Sequence, residues 1–184
     1  MTDRSGRAGL PAGPGYRRVV RAIALALAWL APVMLVAAPE YPARGPDIYD
    51  PAADGSALIR AAQDQARAGR RRVLLDFGAN WCPWCHALHG LFTSDERVRR
   101  RLADGYVVVM IDVNRRRGTA RNAAVNARYG DPARLGLPVL VVLDVDGRPL
   151  VTQETGALEK GDGAVAHDPA KVLAFLERWA PPPR

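Results

Sequence analysis

Four short runs of mostly apolar residues divide this chain and predict β-strands. Three of them are almost continuously apolar, which is typical of strands buried on both faces. A tight turn at Asp146-Gly147 follows the third run and predicts an antiparallel hairpin to the fourth. The predicted strands cover residues 73–77, 106–113, 139–143 and 149–153.

Between these runs, apolar residues spaced three or four apart predict helices. Asp168 is a predicted N-cap of the last helix, and Thr93 with Glu96 fits a capping box at the start of another. The predicted helices cover residues 54–69, 83–92, 93–103, 119–129 and 168–179. Because strands and helices alternate, we expect parallel pairing beside the hairpin. The predicted fold class is α/β, with a central mixed sheet of four to five strands flanked by helices.

The first 38 residues have the order of a secretory signal peptide. Arg17, Arg18 and Arg21 precede an alanine-rich apolar run over 22–38. Pro32 interrupts this run, which is also shorter than the roughly 20 residues of a membrane-spanning helix. We therefore expect a signal peptide over 1–38, with an uncleaved anchor as the alternative. Either case predicts a periplasmic or otherwise extracytoplasmic location.

Composition and charge add limits to this picture. Four prolines in residues 39–53 predict an extended linker, which leaves 54–181 as the folded domain. Contents of 48% hydrophobic and 24% charged residues are ordinary for a globular protein. The net charge of +7 includes three arginine triplets, at 70–72, 99–101 and 115–117. No interleaved aromatic residues accompany the triplets, so we interpret them as solvated edges and expect no nucleic-acid partner.

The two cysteines lie three positions apart, in the segment Cys82-Pro83-Trp84-Cys85. A disulfide across so short a loop removes little chain entropy, so the pair indicates chemistry before scaffolding. At the start of a helix, Cys82 faces unpaired N–H groups and the positive end of the helix dipole. These groups favour its thiolate. Cys82 is therefore the predicted nucleophile, and Cys85 is the predicted resolving thiol.

The segment 76–86 resembles the active-site segment of the thioredoxin family, including the Trp-Cys-x-x-Cys-His signature of exported members. Gly136-Leu137-Pro138 is similar to the cis-proline loop of that family, and the likeness extends over roughly residues 54–180. The resemblance implies the thioredoxin fold. It also implies a thiol–disulfide oxidoreductase that acts on protein substrates, exchanges electrons with a redox partner and needs no cofactor. We expect a monomer.

The resemblance also assigns roles around the cysteines. Asp76 would lie beneath them, where burial raises the pKa of a carboxyl group and lets it accept the proton of Cys85. The Leu137–Pro138 bond is expected to be cis and to face Cys82. The backbone of this loop would then pair with an extended substrate peptide.

Two tryptophans complete the predicted site. Trp81 is expected to form a wall beside the cysteines, and Trp84 is expected to be exposed and to influence the choice of partner. Leu137 and Pro138 join them as candidate substrate-binding residues. Two departures from the family leave the direction of electron flow open: Val108 replaces a basic residue on the second strand, and the dipeptide between the cysteines is Pro-Trp.

Two other functions remain open on the residues alone. Cys82, Cys85, His86 and His89 offer the ligand types of a copper or zinc protein. One short helix cannot surround a tetrahedral ion, so further ligands would be needed. The pattern Cys-x-x-Cys-His is also that of c-type haem attachment, with His86 as an axial ligand. The apolar strands around the motif favour thiol exchange over both, and we expect no bound metal.

Overall fold

The computed structural model of the protein describes residues 44–118 and 120–182. The predicted signal segment and residues 39–43 of the predicted linker lie outside the described residues. Among those that are described, no helix has both the length and the apolar character that crossing a membrane requires.

A four-stranded mixed sheet forms the centre of the domain, as the sequence predicted. The strands are β1 Arg72–Gly78, β2 Tyr106–Asp112, β3 Val139–Leu143 and β4 Pro149–Glu154. Their order in the sheet is β2-β1-β3-β4. β1 pairs with β2 in parallel, and β3 pairs with both β1 and β4 in antiparallel fashion. β3 is buried along its whole length, and so is β1 after its first residue, which explains their continuous apolar runs.

Five α-helices accompany the sheet in the described part of the chain. Asp54 and Asp168 cap the first and last of them through their carboxylates, the latter as predicted. The predicted helix over 119–129 is shorter than expected, because Asn122 adopts a left-handed conformation just before it begins. The helices are α1 Gly55–Gly69, α2 Pro83–Ser94, α3 Glu96–Gly105, α4 Ala123–Arg128 and α5 Pro169–Arg178.

The predicted capping box at the start of α3 is wrong. Asp95 is the N-cap, and its carboxylate accepts hydrogen bonds from the N–H groups of Arg97 and Val98. Thr93 still belongs to the last turn of α2, where its hydroxyl donates to the carbonyls of His89 and Gly90. An Asp two residues further on therefore replaces the threonine, because only Asp95 has the extended backbone that a cap needs.

The two faces of the sheet bury separate apolar cores. Because side chains alternate along a strand, Leu75 and Phe77 of β1 point to one face and Leu74 to the other. Helices α1 and α4 cover the first face, and α2, α3 and α5 cover the second. Each fully buried Leu or Phe contributes about 1.5–3 kcal/mol through its burial. These cores hold the end of β1 against the start of α2, where the two cysteines lie.

Part of the predicted linker packs onto the domain. Tyr49 is only 1% exposed, and the N–H groups of Ile48 and Tyr49 both donate to Oδ1 of Asn80, at 2.9 Å each. Nδ2 of Asn80 donates to the carbonyl of Tyr49 at 2.8 Å. The predicted linker therefore docks onto the domain at Ile48 and Tyr49, an apolar pair among the prolines that the domain buries.

Candidate active site

The two cysteines occupy different positions at the start of α2. Cys82 is the N-cap with an extended backbone, and Pro83 is the first helical residue. The backbone N–H of Cys85 donates to Sγ of Cys82 at 3.3 Å. Both are free thiols, and Cys85 is fully buried whereas Cys82 is 3% exposed. The predicted nucleophile therefore sits at the helix terminus, and the predicted resolving thiol lies one turn deeper.

These positions give the two thiols opposite acidities. A hydrogen bond from the Cys85 thiol lowers the pKa of Cys82 against the effect of burial, with help from the backbone N–H groups of Cys85 and Trp84. Burial raises the pKa of Cys85 strongly, and the neighbouring Cys82 and Asp76 raise it further. These shifts favour the thiolate on Cys82 over that on Cys85, which is the order that nucleophilic attack by Cys82 requires.

Asp76 lies on β1 in an apolar environment and is completely buried. Its partners on the neighbouring strands are Met110 and Leu140. The hydroxyl of Tyr49 donates to Oδ1 at 2.9 Å, while Oδ2 has no hydrogen-bond partner among the described residues. Burial raises the pKa of Asp76 to about 7, although the Tyr49 bond opposes this. Its carboxyl group can therefore bind or release a proton close to neutral pH.

The loop before β3 brings a backbone carbonyl to Cys82. The Leu137–Pro138 bond is cis, as predicted. The thiol of Cys82 lies 3.5 Å from the carbonyl oxygen of Leu137, to which it donates. The hydroxyl of Thr155 donates to the carbonyl of Pro138 at 2.6 Å, which ties the loop to the residue after β4. The structure thus places the predicted loop beside Cys82.

A cleft of about 500 Å³ opens beside Cys82. One wall is Trp81, whose Nε1 donates to Oδ1 of Asn114 at 2.9 Å. The guanidinium of Arg116 lies 3.7 Å from the centroid of the Trp81 ring. A cation over an aromatic face is attracted by the ring quadrupole. Arg116 therefore adds a positive charge to the rim of the cleft, a feature that the sequence analysis did not assign.

Trp84 differs from its prediction. The ring is half-buried, and its edge meets His167 with centroids 5.6 Å apart at an interplanar angle of 77°. An exposed position was expected. The segment before α5 brings His167 against the Trp84 ring in a T-shaped contact, which connects regions far apart in sequence. Trp84 still lines the cleft beside Cys82.

The histidines of α2 take part in local structure. Nε2 of His86 lies 2.7 Å from the carbonyl oxygen of Asn80, so this ring is tied to the loop that carries Cys82. Burial lowers the pKa of His89, and the nearby His86 lowers it further. Within residues 44–118 and 120–182, no group of three or more His, Cys, Asp and Glu side chains is arranged to hold a metal ion.

Sequence reasoning missed Tyr49 and Asn80. Tyr49 reaches Asp76 across 27 positions of the chain, and Asn80 holds the Tyr49 backbone across 31. One signal was available: Ile48 and Tyr49 form an apolar pair within a proline-rich stretch. An apolar pair in such a segment indicates a point where the segment docks onto the domain.

Comparisons with known proteins agree with this geometry. Residues 56–145 match a family model described as thioredoxin-like. Two curated relatives share the name thiol:disulfide interchange protein DsbD. The one from Yersinia enterocolitica is 31% identical over 109 residues, which cover 59% of this chain and 18% of the relative. The one from Salmonella paratyphi A is 35% identical over 86 residues, covering 47% of this chain and 14% of the relative.

The chain therefore spans less than a fifth of the length of these two relatives. One solved structure is similar to this chain over nearly all of that structure's own length. It is that of a disulphide isomerase from Xylella fastidiosa Temecula1, with a TM-score of 0.61 at 29% identity. The similarity covers 71% of this chain and 95% of that one.

Proposed function

Because this chain belongs to the thioredoxin-like family, we propose that it is a thiol–disulfide oxidoreductase with Cys82 and Cys85 as its redox couple. The observation that carries the proposal is the placement of the two thiols, with Cys82 as the N-cap of α2 beside the Leu137 carbonyl and Cys85 buried one turn deeper. The pKa of Cys82 is lowered at the start of α2, while that of the buried Cys85 is raised. This asymmetry suits a nucleophile and a resolving thiol, and an inert pair has no need of it.

The exchange has two steps. The Cys82 thiolate attacks one sulfur of a substrate disulfide, which forms a mixed disulfide and releases the other substrate sulfur as a thiolate. Cys85 then loses its proton and attacks Sγ of Cys82. The second substrate sulfur leaves with the electron pair, and the protein is left with a Cys82–Cys85 disulfide. Run backwards, the same steps oxidise a dithiol substrate and leave both cysteines reduced.

The substrate is an extended protein segment that carries a cysteine or a disulfide. The cleft beside Cys82 is open enough for a chain to approach, and the Leu137 carbonyl lies next to the nucleophile. Backbone pairing with the loop at Leu137 and Pro138 would hold such a segment irrespective of its side chains. Trp81 and Trp84 would contact the residues that flank the reactive sulfur.

An extracytoplasmic location agrees with this chemistry. The leader over 1–38 has the pattern of a signal peptide, and disulfides persist in oxidising compartments. The protein would act there as a monomer, with a second redox protein to restore its couple. Fractionation of cells that produce the full chain tests the location. The mass of the exported protein then distinguishes a cleaved signal peptide from a retained anchor.

The function is tested with single cysteine variants of the full chain. Cys85→Ser is expected to accumulate mixed disulfides with substrate proteins, since the resolving step is blocked, and a reductant should release them. Cys82→Ser should form none and should lose insulin reduction and dithiol oxidation. The double variant Cys82→Ser/Cys85→Ser is the matched control for adducts at other sites. Turnover that survives in Cys82→Ser would contradict the proposal.

A further inference from the structure

A tyrosine hydroxyl lies between the two groups that exchange a proton in the proposed resolving step. The hydroxyl of Tyr49 donates to Oδ1 of Asp76 at 2.9 Å. Its oxygen is also a close neighbour of the resolving thiol. A Cβ added to Gly78 would lie 2.1 Å from the Tyr49 hydroxyl oxygen and 2.8 Å from Sγ of Cys85. The hydroxyl oxygen and the sulfur therefore crowd the same point of β1, and Tyr49 packs with Cys85 in one buried cluster.

We propose that Tyr49 relays the proton of Cys85 to Asp76 when Cys85 attacks the mixed disulfide. The inference rests on the proposed function. The hydroxyl oxygen of Tyr49 accepts the proton from Sγ of Cys85 as its own proton passes to Oδ1 of Asp76. The Cys85–Cys82 sulfur bond forms, the bond between Cys82 and the substrate sulfur breaks, and the electron pair leaves with the substrate. Asp76 then returns its proton to the departing thiolate or to water.

The position of the hydroxyl is set by the loop that carries the nucleophile. The Asn80 side chain accepts from the N–H groups of Ile48 and Tyr49, and it donates to the Tyr49 carbonyl. Asn80 precedes Cys82 by two residues. The segment before α1 is thereby fastened to the active-site loop, and the Tyr49 ring is directed inward, where it packs with Cys82 and Cys85.

Acidities in this cluster suit a relay. Burial raises the pKa of Tyr49 well above its ordinary value, and the nearby Asp76 and Cys85 raise it further. Tyr49 therefore keeps a proton at all working pH values, and it passes a proton only by receiving one at the same time. Asp76, with a pKa of about 7, is the group that stores the charge.

Among the described residues, three titratable side chains face the Asp76 carboxyl group. They are Tyr49 from the segment before α1, and Cys82 and Cys85 from the start of α2. The strands on either side contribute Met110 and Leu140, which carry no charge. A change at Tyr49 should therefore appear in the titration of Asp76 itself.

The test separates the two steps with an aromatic disulfide probe, 5,5′-dithiobis(2-nitrobenzoate), in stopped-flow experiments on the reduced full chain. Attack by Cys82 releases the first coloured thiolate, and attack by Cys85 releases the second. Tyr49→Phe should slow the second release about tenfold or more at pH 7, because general acid–base assistance is lost. The pH midpoint of the second release should rise, since the bond that stabilises the Asp76 carboxylate is missing. The first release should stay within about twofold.

Tyr106→Phe is the matched control. Its hydroxyl is also buried and hydrogen-bonded, but it donates to the carbonyl of Leu176 at the opposite end of the sheet. Both releases should be unchanged in this variant. A titration of the Asp76 carboxyl carbon by NMR gives a second readout. The midpoint should lie near 7 in the wild type and higher in Tyr49→Phe.

Each result has one interpretation. An unchanged second release in Tyr49→Phe, or equal slowing of both releases, overturns the relay while leaving the proposed function intact. If Tyr49→Phe does not fold, Asp76→Asn is the second variant, and a second release that keeps its pH midpoint there overturns the relay. A first release that survives in Cys82→Ser would instead contradict the proposed function.

Discussion

Two buried tyrosines, Tyr49 and Tyr106, place their hydroxyls at opposite ends of the sheet. Tyr106 begins β2, and its hydroxyl donates to the carbonyl of Leu176 at 2.7 Å, a neutral acceptor in α5. Tyr49 donates to Asp76 near the end of β1, a carboxyl group whose second oxygen has no partner in the described part of the chain. One tyrosine completes a hydrogen bond, and the other leaves its acceptor half satisfied.

The two tyrosines therefore differ in role: one hydrogen bond only stabilises the fold, and the other has an acceptor that can exchange a proton. A bond between neutral groups contributes about 1 kcal/mol at any pH at which both stay neutral. A buried carboxyl group with an unpaired oxygen costs stability when it is ionised, and that cost is what raises the pKa of Asp76 to about 7. The end of the sheet that carries Tyr106 therefore stabilises the fold, while the end that carries Tyr49 can move a proton near neutral pH.

The largest expected effect is the stability that the fold loses when the buried carboxyl group of Asp76 ionises. In the unfolded chain an Asp has a pKa of about 3.9, whereas in the fold its pKa is about 7. Its neutral form therefore stabilises the fold fully below pH 4, and this contribution is lost as the pH rises to 7. The loss amounts to roughly 3–4 kcal/mol. Asp76→Asn should abolish this part of the decline in the free energy of unfolding.

Denaturant unfolding of both proteins between pH 4 and 8 measures that difference. Other titrating groups are common to both proteins, so only Asp76 contributes to the difference between the two curves. Parallel curves would mean that Asp76 has an ordinary pKa, and the contrast between the two ends of the sheet would then disappear.

Gly78→Ala is expected to have the next largest effect. The added Cβ would lie 2.1 Å from the Tyr49 hydroxyl and 2.8 Å from Sγ of Cys85, so both must move. Overpacking of this kind costs about 1–3 kcal/mol, and the displaced cluster should slow thiol exchange. Gly90→Ala in α2 is the matched control, because its added Cβ would meet no atom within 4 Å among the described residues, apart from the helix's own backbone and the adjacent residues. Thermal unfolding and insulin reduction report both effects, and equal behaviour of the two variants would contradict the close packing.

Tyr106→Phe and Tyr49→Phe sharpen the comparison directly. Loss of the Tyr106 hydroxyl should cost about 1 kcal/mol equally at pH 5 and pH 8, because its acceptor never ionises. Loss of the Tyr49 hydroxyl should cost more at pH 8 than at pH 5, since a bond to a charged acceptor is worth about 1.5–3 kcal/mol. Urea unfolding at the two pH values measures this. A pH-independent cost at Tyr49 would show that Asp76 stays neutral.

The smallest expected effect is that of Tyr129→Phe. This hydroxyl is buried and has no hydrogen-bond partner among the described residues. Its removal takes away an unsatisfied polar group, so the free energy of unfolding should stay within about 0.5 kcal/mol or rise slightly. A loss of 1 kcal/mol or more in urea unfolding would mean that the hydroxyl is bonded, and the three tyrosines would no longer form a graded series.

Local patterns carried most of the fold. The strand at Val139–Leu143 and the N-cap Asp168 depend on neighbouring residues alone, and the structure confirms both. The pairing of β1 with β2 followed from the alternation of strands and helices. The capping residue of α3 was missed because Thr93 and Asp95 compete for one role, and only the backbone geometry selects between them.

The sequence by itself determined the cysteine pair and the α/β class, because spacing along the chain encodes both, and the resemblance of Gly136-Leu137-Pro138 to a family motif gave the cis-proline loop. Only the tertiary structure decided what surrounds them. It brought Tyr49 to Asp76 across 27 positions and set the Trp84 ring against His167. These contacts depend on burial and packing between segments that are distant in sequence, and no local pattern of apolar and polar residues specifies such pairs.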